Sequence, residues 1–359
     1  MVISIEKAND SDNLRLLSDD SGESSKDVSV VRSPRKSPLV LRMIVLAFVM
    51  LCGIYISSIC LKQLGFNLRP NLSVQVTNKR CPNPSIAHSD LHLLHYPNPL
   101  TYTREECECT PVRLFAIFSM QRSGSGWFET LLNNHINISS NGEIFSHKER
   151  RNNISSITNT LDKLYNLDWF SSAAKNECTA SVGLKWMLNQ GVMDNHHDIV
   201  DYFNRRGVSA IFLFRRNLLR RMVSVLANLH DRDTKPINGT HMSHVHSKDE
   251  ASILAQHKPA IDTHSLISEL KKTEEMVADA LNYFNSTRHT ILFYEDIITN
   301  QTKVMDVLDF LNVPRRKLVS LQVKIHTNPL SEQIENWNDV YKTLNGTQYE
   351  TFLNADYRL

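Results

Sequence analysis

The sequence predicts an α/β protein in which a central, mainly parallel sheet is flanked by helices and preceded by one transmembrane helix. Three observations support this prediction. After residue 111, apolar runs alternate with amphipathic segments, as in chains built from βαβ units. A Gly- and Ser-rich loop at residues 119–127 joins the first apolar run to a helix. Residues 43–61 carry no charge over 19 positions, which nearly spans the ~30 Å hydrocarbon core of a bilayer.

The alternation of apolar and amphipathic segments after residue 111 predicts the individual strands and helices. Apolar runs predict strands at residues 112–118, 182–187, 210–214 and 290–294. Helices are predicted at residues 127–134, 194–206, 217–229, 263–284 and 302–311. Because about 250 residues is an ordinary size for one α/β domain, we expect residues 111–359 to form a single folded unit.

The chain before residue 111 differs in composition. Residues 1–38 are rich in Ser, Asp, Glu and Lys, which predicts a disordered cytosolic tail. Residues 39–62 predict a signal anchor, and the proline-rich residues 63–110 predict a lumenal stem. The excess of Lys and Arg before the apolar stretch, with seven sequons beyond it, predicts a lumenal C-terminal side. The sequons begin at Asn71, Asn137, Asn153, Asn238, Asn285, Asn300 and Asn345.

Four cysteines follow the predicted anchor, at Cys81, Cys107, Cys109 and Cys178. Four cysteines in an oxidising lumen can pair in three ways. The alternative is a zinc site that uses Cys107 and Cys109. We favour disulfides, because one intervening residue is shorter than the usual zinc spacing and no nearby His completes a site.

The formal net charge of +2 gives the chain no global preference for nucleic acid, so any anion site must be local. The loop at residues 119–127, SMQRSGSGW, has the composition of such a site. Gly124 and Gly126 permit tight turning and close approach to a ligand, and Arg122 adds a permanent cation. A purely structural turn is the alternative. The loop is not a Walker A motif, because Gly-Lys-Ser/Thr is absent.

The loop resembles the 5′-phosphosulfate loop of sulfotransferases, written [PQ]-[KR]-S-G-[ST]-T-W. The resemblance implies that the donor is bound by the loop residues Arg122, Ser123, Gly124, Ser125, Gly126 and Trp127. Gly126 departs from the motif, which usually has Thr or Ser there, so the hydroxyl contacts fall to the two serines. Trp127 stands at the family position that often stacks on adenine.

A second segment, IFLFRRN at residues 211–217, looks like the family's 3′-phosphate site, in which an Arg is followed eight residues later by a Ser. Arg216 and Ser224 have that spacing, and we expect Arg215 to pair structurally. An Arg can grip a phosphate through two N–H groups while a Ser adds a hydroxyl. Together the two segments imply the donor 3′-phosphoadenosine 5′-phosphosulfate, PAPS. A solvated strand end is the alternative for the Arg pair.

Transfer to an alcohol requires a base. The resemblance assigns this role to Glu143, in the segment NGEIF, with His147 as the second candidate. The alternative for Glu143 is an ordinary surface carboxylate. Lys185 lies inside an apolar run and either lines the cleft or is a strand lysine whose amine reaches solvent.

Three further segments receive weaker assignments. Residues 294–296, YED, resemble a family motif for which we expect a structural role. Residues 330–353 resemble the C-terminal segment of nodulation-type and carbohydrate sulfotransferases and are expected to close over the donor. The histidines His241, His244 and His246 suggest a metal, but their polar surroundings favour a solvated loop that serves acceptor recognition, so no metal site is predicted.

The resemblance covers about residues 112–359 and implies a type II, single-pass Golgi sulfotransferase whose catalytic domain is lumenal. Its acceptor is a hydroxyl, on a glycan or else on a peptide or small molecule, and neither a metal nor nucleic acid takes part. Two alternatives stay open. One is a membrane-tethered glycan-binding protein with an inactive sulfotransferase fold, and the other is a nucleotide-dependent kinase. The sequence does not determine the acceptor or the oligomeric state.

Overall fold

A computed structural model describes residues 38–65, 88–169 and 178–354, and the chain divides into two units, Met1–Lys79 and Arg80–Leu359. The predicted cytosolic tail lies almost entirely outside the described residues. In the first unit, helix α1 runs from Pro38 to Gly65 and contains the predicted apolar stretch. The predicted fold included a transmembrane helix. Within the described residues, no helix is both long and apolar enough to span a membrane.

A parallel sheet forms the centre of the second unit. Its described strands are β1 Arg113–Ser119, β2 Ile138–Ser140, β3 Ser181–Met187, β4 Val208–Phe214 and β5 His289–Phe293. They lie in the order β2-β3-β1-β4-β5, and every neighbouring pair is parallel. This confirms the predicted α/β class and its parallel sheet. Strand β2 was not predicted, because three residues are too few to show a period.

Helices cover both faces of the sheet. In the described residues they are α2 Ser125–Asn133, α3 Ile154–Tyr165, α4 His196–Arg206, α5 Leu218–Thr234, α6 Lys248–Leu254, α7 Leu266–Tyr283, α8 Tyr294–Thr299, α9 Gln301–Phe310, α10 Leu330–Gln333, α11 Trp337–Leu344 and α12 Thr351–Asn354. Short 3₁₀ helices occupy His88–Leu93, Ile144–Ser146 and Lys148–Arg151, and a π-helical turn occupies Leu188–Val192.

Strand β1 is buried on both faces, which is why its sequence is a continuous apolar run rather than an alternating one. Leu114 and Phe118 face a core shared with helices α3, α4 and α7. Phe115 and Ile117 face a second core shared with α2 and α9. Helices therefore flank the sheet on both sides, which leaves its carboxyl edge as the place where loops meet.

The loops after β1 and β4 are held side by side at this edge. The ends of the two strands are in register, with Ser119 opposite Leu213, and the Ser119 hydroxyl donates to the Leu213 carbonyl at 2.7 Å. The residues that follow each strand therefore enter the same region. In parallel sheets this edge is where phosphate-bearing ligands bind.

The described part of the predicted stem, residues 88–110, belongs to the second unit. His95 forms an antiparallel bridge with Val112, and Asp90 pairs with Arg113 at 3.1 Å. Cys107 and Cys178 form a disulfide, and Cys109 is also disulfide-bonded. Proline-rich composition predicts extended backbone, and extended backbone can lie along a domain as readily as project from it.

The C-terminal helices form a third core with the helix that follows β4. Leu330, Val340 and Leu344 pack with Leu219 of α5 and Leu270 of α7. Residues 330–353 were expected to close over the donor. Their buried side chains pack against these two helices, and closure over the donor stays a prediction.

Candidate active site

The loop between β1 and α2 has the backbone of an anion-binding turn. Arg122 has φ 64° and Gly124 has φ 82°, so two residues of the loop adopt the left-handed conformation. Gly124 is the residue immediately before α2, so the free N–H groups of the helix lie directly after it. A side chain at Gly124 would also collide with the Tyr294 ring. The glycine is thus required for both conformation and space.

Arg122 is held by neighbours from two other segments. Its Nε donates to the Ser224 hydroxyl at 2.9 Å, and a terminal nitrogen donates to the Ser243 carbonyl at 2.7 Å. Burial, reinforced by the nearby charge of Arg215, lowers the pKa of Arg122 to about 10. The guanidinium is still charged at neutral pH, so an anion entering here meets a fixed and poorly solvated cation.

Gly126 leaves room for a histidine. A Cβ at this position would collide with the imidazole of His244, which therefore lies directly over the loop. The position where Gly126 departs from the sulfotransferase motif is thus the position that His244 covers. Sequence reasoning assigned His244 to a solvated loop, but it is one of the residues lining the loop cavity.

Glu143 belongs to a small buried charge network. Its Oε1 lies 3.2 Å from the Lys185 Nζ, and its Oε2 accepts from Gln190 Nε2 at 3.0 Å. Lys185 also pairs with Glu129 at 3.4 Å and is only 7% exposed. Glu129 in turn accepts from the Gly142 N–H at 2.8 Å, which fixes the turn just before Glu143. The Glu143 side chain keeps 34% of its surface exposed, so it is held in place yet accessible.

The two arginines after β4 point in different directions. Arg215 lines the loop cavity and donates to the Arg122 carbonyl at 3.3 Å. Arg216 is 51% exposed and binds the Asp296 carboxylate through both terminal nitrogens, one of them at 2.7 Å. Arg215 was expected to pair structurally and lies 4.0 Å from the Glu295 carboxylate, whereas Arg216, assigned to the 3′-phosphate, pairs with Asp296 outside the cavity lining. Adjacent residues at a strand end project to opposite sides, so a one-residue shift in alignment reverses the assignment.

A cavity of about 480 Å³ connects these groups. The loop, Glu143, Lys185, Arg215 and Ser224 lie along it. Its apolar part includes Trp127, Tyr294, Ile297, Val304 and Leu318. Trp127 and Tyr294 meet edge to face, with ring centroids 6.1 Å apart. The cavity thus combines a cationic region with a flat aromatic region, which suits a ligand bearing both phosphates and a planar ring.

The segment between α9 and α10 supplies two further cavity residues, Lys324 and His326, that sequence reasoning missed. Burial, then Arg215 and Arg220, lowers the pKa of Lys324 to about 8. Burial, then Arg122 and Arg215, lowers the pKa of His326 to about 4. The groups disfavour one another's positive charge, so the region is strongly electropositive and a bound anion would relieve it.

The predicted site residues are mostly brought together. The cavity is lined by Arg122, Gly124, Ser125, Gly126, Trp127, Glu143 and Ser224. Ser123 is buried and is not part of the lining, and Arg216 lies outside it. His147 is exposed and also lies outside the lining. Within the described residues, no cluster of three or more His, Cys, Asp or Glu side chains could hold a metal ion.

No family model matches the sequence. The chain is 24% identical to nodulation protein H of Rhizobium meliloti over 242 residues, which is 64% of this chain and 90% of that protein. Two solved structures are also similar. The sulfotransferase from Alicyclobacillus acidocaldarius has 13% identity and a TM-score of 0.36, with 68% of this chain and 96% of that chain covered. The sulfotransferase domain from the curacin biosynthetic pathway has 15% identity and a TM-score of 0.33, with 68% and 91% covered. The similarity to nodulation protein H confirms the predicted resemblance of this chain to the nodulation-type sulfotransferases.

Proposed function

We propose that the protein transfers a sulfuryl group from PAPS to an acceptor hydroxyl. The observation that carries the proposal is the meeting of Arg122, Arg215 and Ser224 with a glycine turn at the start of a helix, in one cavity that also contains Glu143. Cations and helix N–H groups bind phosphates, and a carboxylate can accept the proton of an alcohol. The similarity to nodulation protein H supports the same class of enzyme.

We propose one orientation for the donor in the cavity. We propose that its 5′-phosphosulfate lies on the loop, between the α2 N–H groups and Arg122. The 3′-phosphate is bound by Arg215 and Ser224, with Lys324 nearby, and the adenine lies against Trp127 and Tyr294. This assignment is supported by the cations and the two aromatic rings that line the same cavity, with Arg215 over the Tyr294 ring.

The proposed reaction is an in-line displacement at sulfur. The acceptor O–H gives its proton to Glu143 as the acceptor oxygen bonds to sulfur, and the bond between sulfur and the phosphate oxygen of the donor breaks. Lys185 and Gln190 hold the Glu143 carboxylate in position for this proton transfer. Arg122 and the loop N–H groups stabilise the charge that develops on the departing phosphate.

Incubation with ³⁵S-labelled PAPS tests this function. We expect label to appear in at least one member of a panel of glycans, hydroxyl-bearing small molecules and tyrosyl peptides. An inactive protein that binds glycans would bind members of the panel without labelling them. A kinase would transfer ³²P from γ-labelled ATP, a result that would contradict the proposal.

We further propose that the second unit works in an oxidising compartment, as expected of the Golgi lumen. The Cys107–Cys178 disulfide and the exposed sequon residues Asn153, Asn238, Asn285 and Asn345 support this location. In secretory cells we expect the protein to carry N-glycans and to shift in electrophoretic mobility after peptide N-glycosidase treatment. An unshifted band from those cells, with Cys107 and Cys178 both alkylated by a thiol reagent, would contradict a lumenal location.

Binding of the product adenosine 3′,5′-bisphosphate should weaken above about pH 8. Lys324 is charged below that pKa and contributes attraction there, and in the free protein it loses the charge as the pH rises. The phosphates, with a second pKa of about 6, are fully ionised throughout that range. Affinity should fall by up to ~10-fold per pH unit, until the higher pKa that Lys324 has in the complex is reached.

Calorimetry between pH 7 and 9.5 checks this pH dependence. The Lys324→Met variant should bind more weakly at pH 7 and lose most of the pH dependence. Equal slopes for the wild type and the variant would show that Lys324 does not face the bound phosphate.

A further inference from the structure

A second cavity of about 570 Å³ lies beside the first. Helices α5 and α7 and residues 260–262 form most of its wall. Gln121 lines both cavities, and its side chain donates to Asn189 at 2.8 Å, a residue that lines the second. Asn189 is followed in the chain by Gln190, which binds Glu143. The second cavity therefore adjoins the reacting end of the first.

The wall of the second cavity is mainly apolar. The apolar residues along it include Met120, Leu218, Met222, Val225, Leu226, Ile261 and Met276. Such a surface binds hydrocarbon or the apolar face of a ring, because it loses contact with water when it is covered. The volume lies within the ~300–1,000 Å³ range typical of small-molecule sites.

One pair of charges at this cavity is neutralised within the protein, and the carboxylate of Asp262 is held by hydrogen bonds. Lys272 pairs with Glu269 at 2.7 Å. The Asp262 carboxylate accepts from the Ser265 hydroxyl at 2.7 Å and from the His264 N–H at 3.0 Å. Lys272 is therefore engaged by Glu269, whereas Asp262 keeps its negative charge because both of its donors are neutral.

Arg221 is different. Its side chain lines the cavity, and its Nε is fully buried with no hydrogen-bond partner among the described residues. No carboxylate of the described part of the chain pairs with it. Burial and the charge of Arg215 lower the pKa of Arg221 to about 10, so it stays positive at neutral pH. The Arg221 side chain is half-buried with its Nε enclosed, and an acidic group on a ligand would satisfy that nitrogen and pair with the charge.

We propose that this second cavity binds the non-reacting part of the acceptor, and that this part carries one acidic group beside an apolar surface. The acid pairs with Arg221, the apolar part covers the wall formed by α5 and α7, and the acceptor hydroxyl passes Gln121 to reach Glu143. The proposal rests on the proposed sulfuryl transfer for the direction in which the acceptor points. The cavity and its ligand class rest on the lining residues alone.

A matched pair of amphiphiles tests the proposal. Octyl β-D-glucuronide and octyl β-D-glucoside share the sugar ring and the alkyl chain and differ in the carboxylate. Each is titrated, below its micelle-forming concentration, into the full chain saturated with adenosine 3′,5′-bisphosphate. We expect the glucuronide to bind about 10- to 100-fold more tightly, because a charge-assisted hydrogen bond stabilises its carboxylate.

Variants test whether Arg221 is the cation that binds the acidic group. Arg221→Met should reduce glucuronide binding to the level of the glucoside and leave glucoside and bisphosphate binding unchanged. Lys271→Met removes an exposed cation from α7 outside the cavity and should change the binding of neither glycoside. Equal binding of the two glycosides, or an equal loss of both in Arg221→Met, would overturn the proposal.

Two further measurements keep the test decisive. If Arg221→Met does not fold, Val225→Trp fills the cavity without removing charge and should abolish binding of both glycosides, so retained binding would overturn the proposal. Titration of the glycosides without bisphosphate should give the same preference for the glucuronide. Failure of bisphosphate binding with this preference intact would refute the proposed donor and leave the second cavity assigned.

Discussion

Replacement of Glu143 by Gln is expected to lower the rate of sulfuryl transfer by about 100-fold or more while product binding stays within about 2-fold of wild type. The amide keeps the size of the side chain but cannot accept the acceptor proton. Lys185 keeps its ion pair with Glu129 in the variant, so the donor site should be preserved. Single-turnover transfer from labelled PAPS measures the rate, and calorimetry measures binding.

A matched control separates catalysis from a general change in charge. Glu149 is an exposed carboxylate in the 3₁₀ helix that follows, and Glu149→Gln should transfer at the wild-type rate. If the Glu143→Gln variant remained active, another cavity residue would have to be the base. His244 is the first alternative, because burial lowers its pKa to about 4 and leaves it neutral and able to accept a proton at pH 7.

Replacement of Arg215 by Met is expected to weaken binding of adenosine 3′,5′-bisphosphate by about 10- to 100-fold. The guanidinium lies in the cavity beside Arg122, where a phosphate would accept charged hydrogen bonds from it in a poorly hydrated region. Arg216→Met is the control, since Arg216 is exposed and bound to Asp296 outside the cavity. Binding by this control should stay within about 3-fold of wild type, as is usual for an exposed ion pair.

The spacing of Arg216 and Ser224 alone predicts the opposite ranking of the two variants in bisphosphate binding. If Arg216→Met lost bisphosphate binding and Arg215→Met kept it, the 3′-phosphate would lie on the other side of the strand end. Thermal unfolding of both variants, measured without ligand, ensures that the comparison concerns folded protein.

The predicted strands were recovered because strands of a sheet covered on both faces are continuous apolar runs. Residues 112–118 and 210–214 show this directly, and both lie in buried strands. The loop between β1 and α2 was identifiable because glycine spacing and a helix start are local features of the chain. Fold class and the candidate anion-binding turn were therefore predictable from the sequence.

The direction of side chains and the contacts between distant segments could not be predicted from the sequence. Arg215 and Arg216 are chemically identical neighbours, and only the orientation of the strand end distinguishes them. Glu129 resembles a surface carboxylate of a helix until the turn at Gly142 is seen to bind it. Lys324 reaches the cavity from a segment that has no regular hydrophobic period, so nothing in its local sequence indicates its location.

The most direct test of the account is calorimetric titration of adenosine 3′,5′-bisphosphate into the full chain, compared with adenosine 5′-phosphate. We predict one saturable site for the bisphosphate, with a dissociation constant in the ~1 µM to 1 mM range of enzyme substrates. The monophosphate should bind at least about 10-fold more weakly, because it lacks the 3′-phosphate that Arg215 and Ser224 are proposed to hold. Absence of bisphosphate binding by the folded protein, or equal affinity for the two nucleotides, would contradict the account.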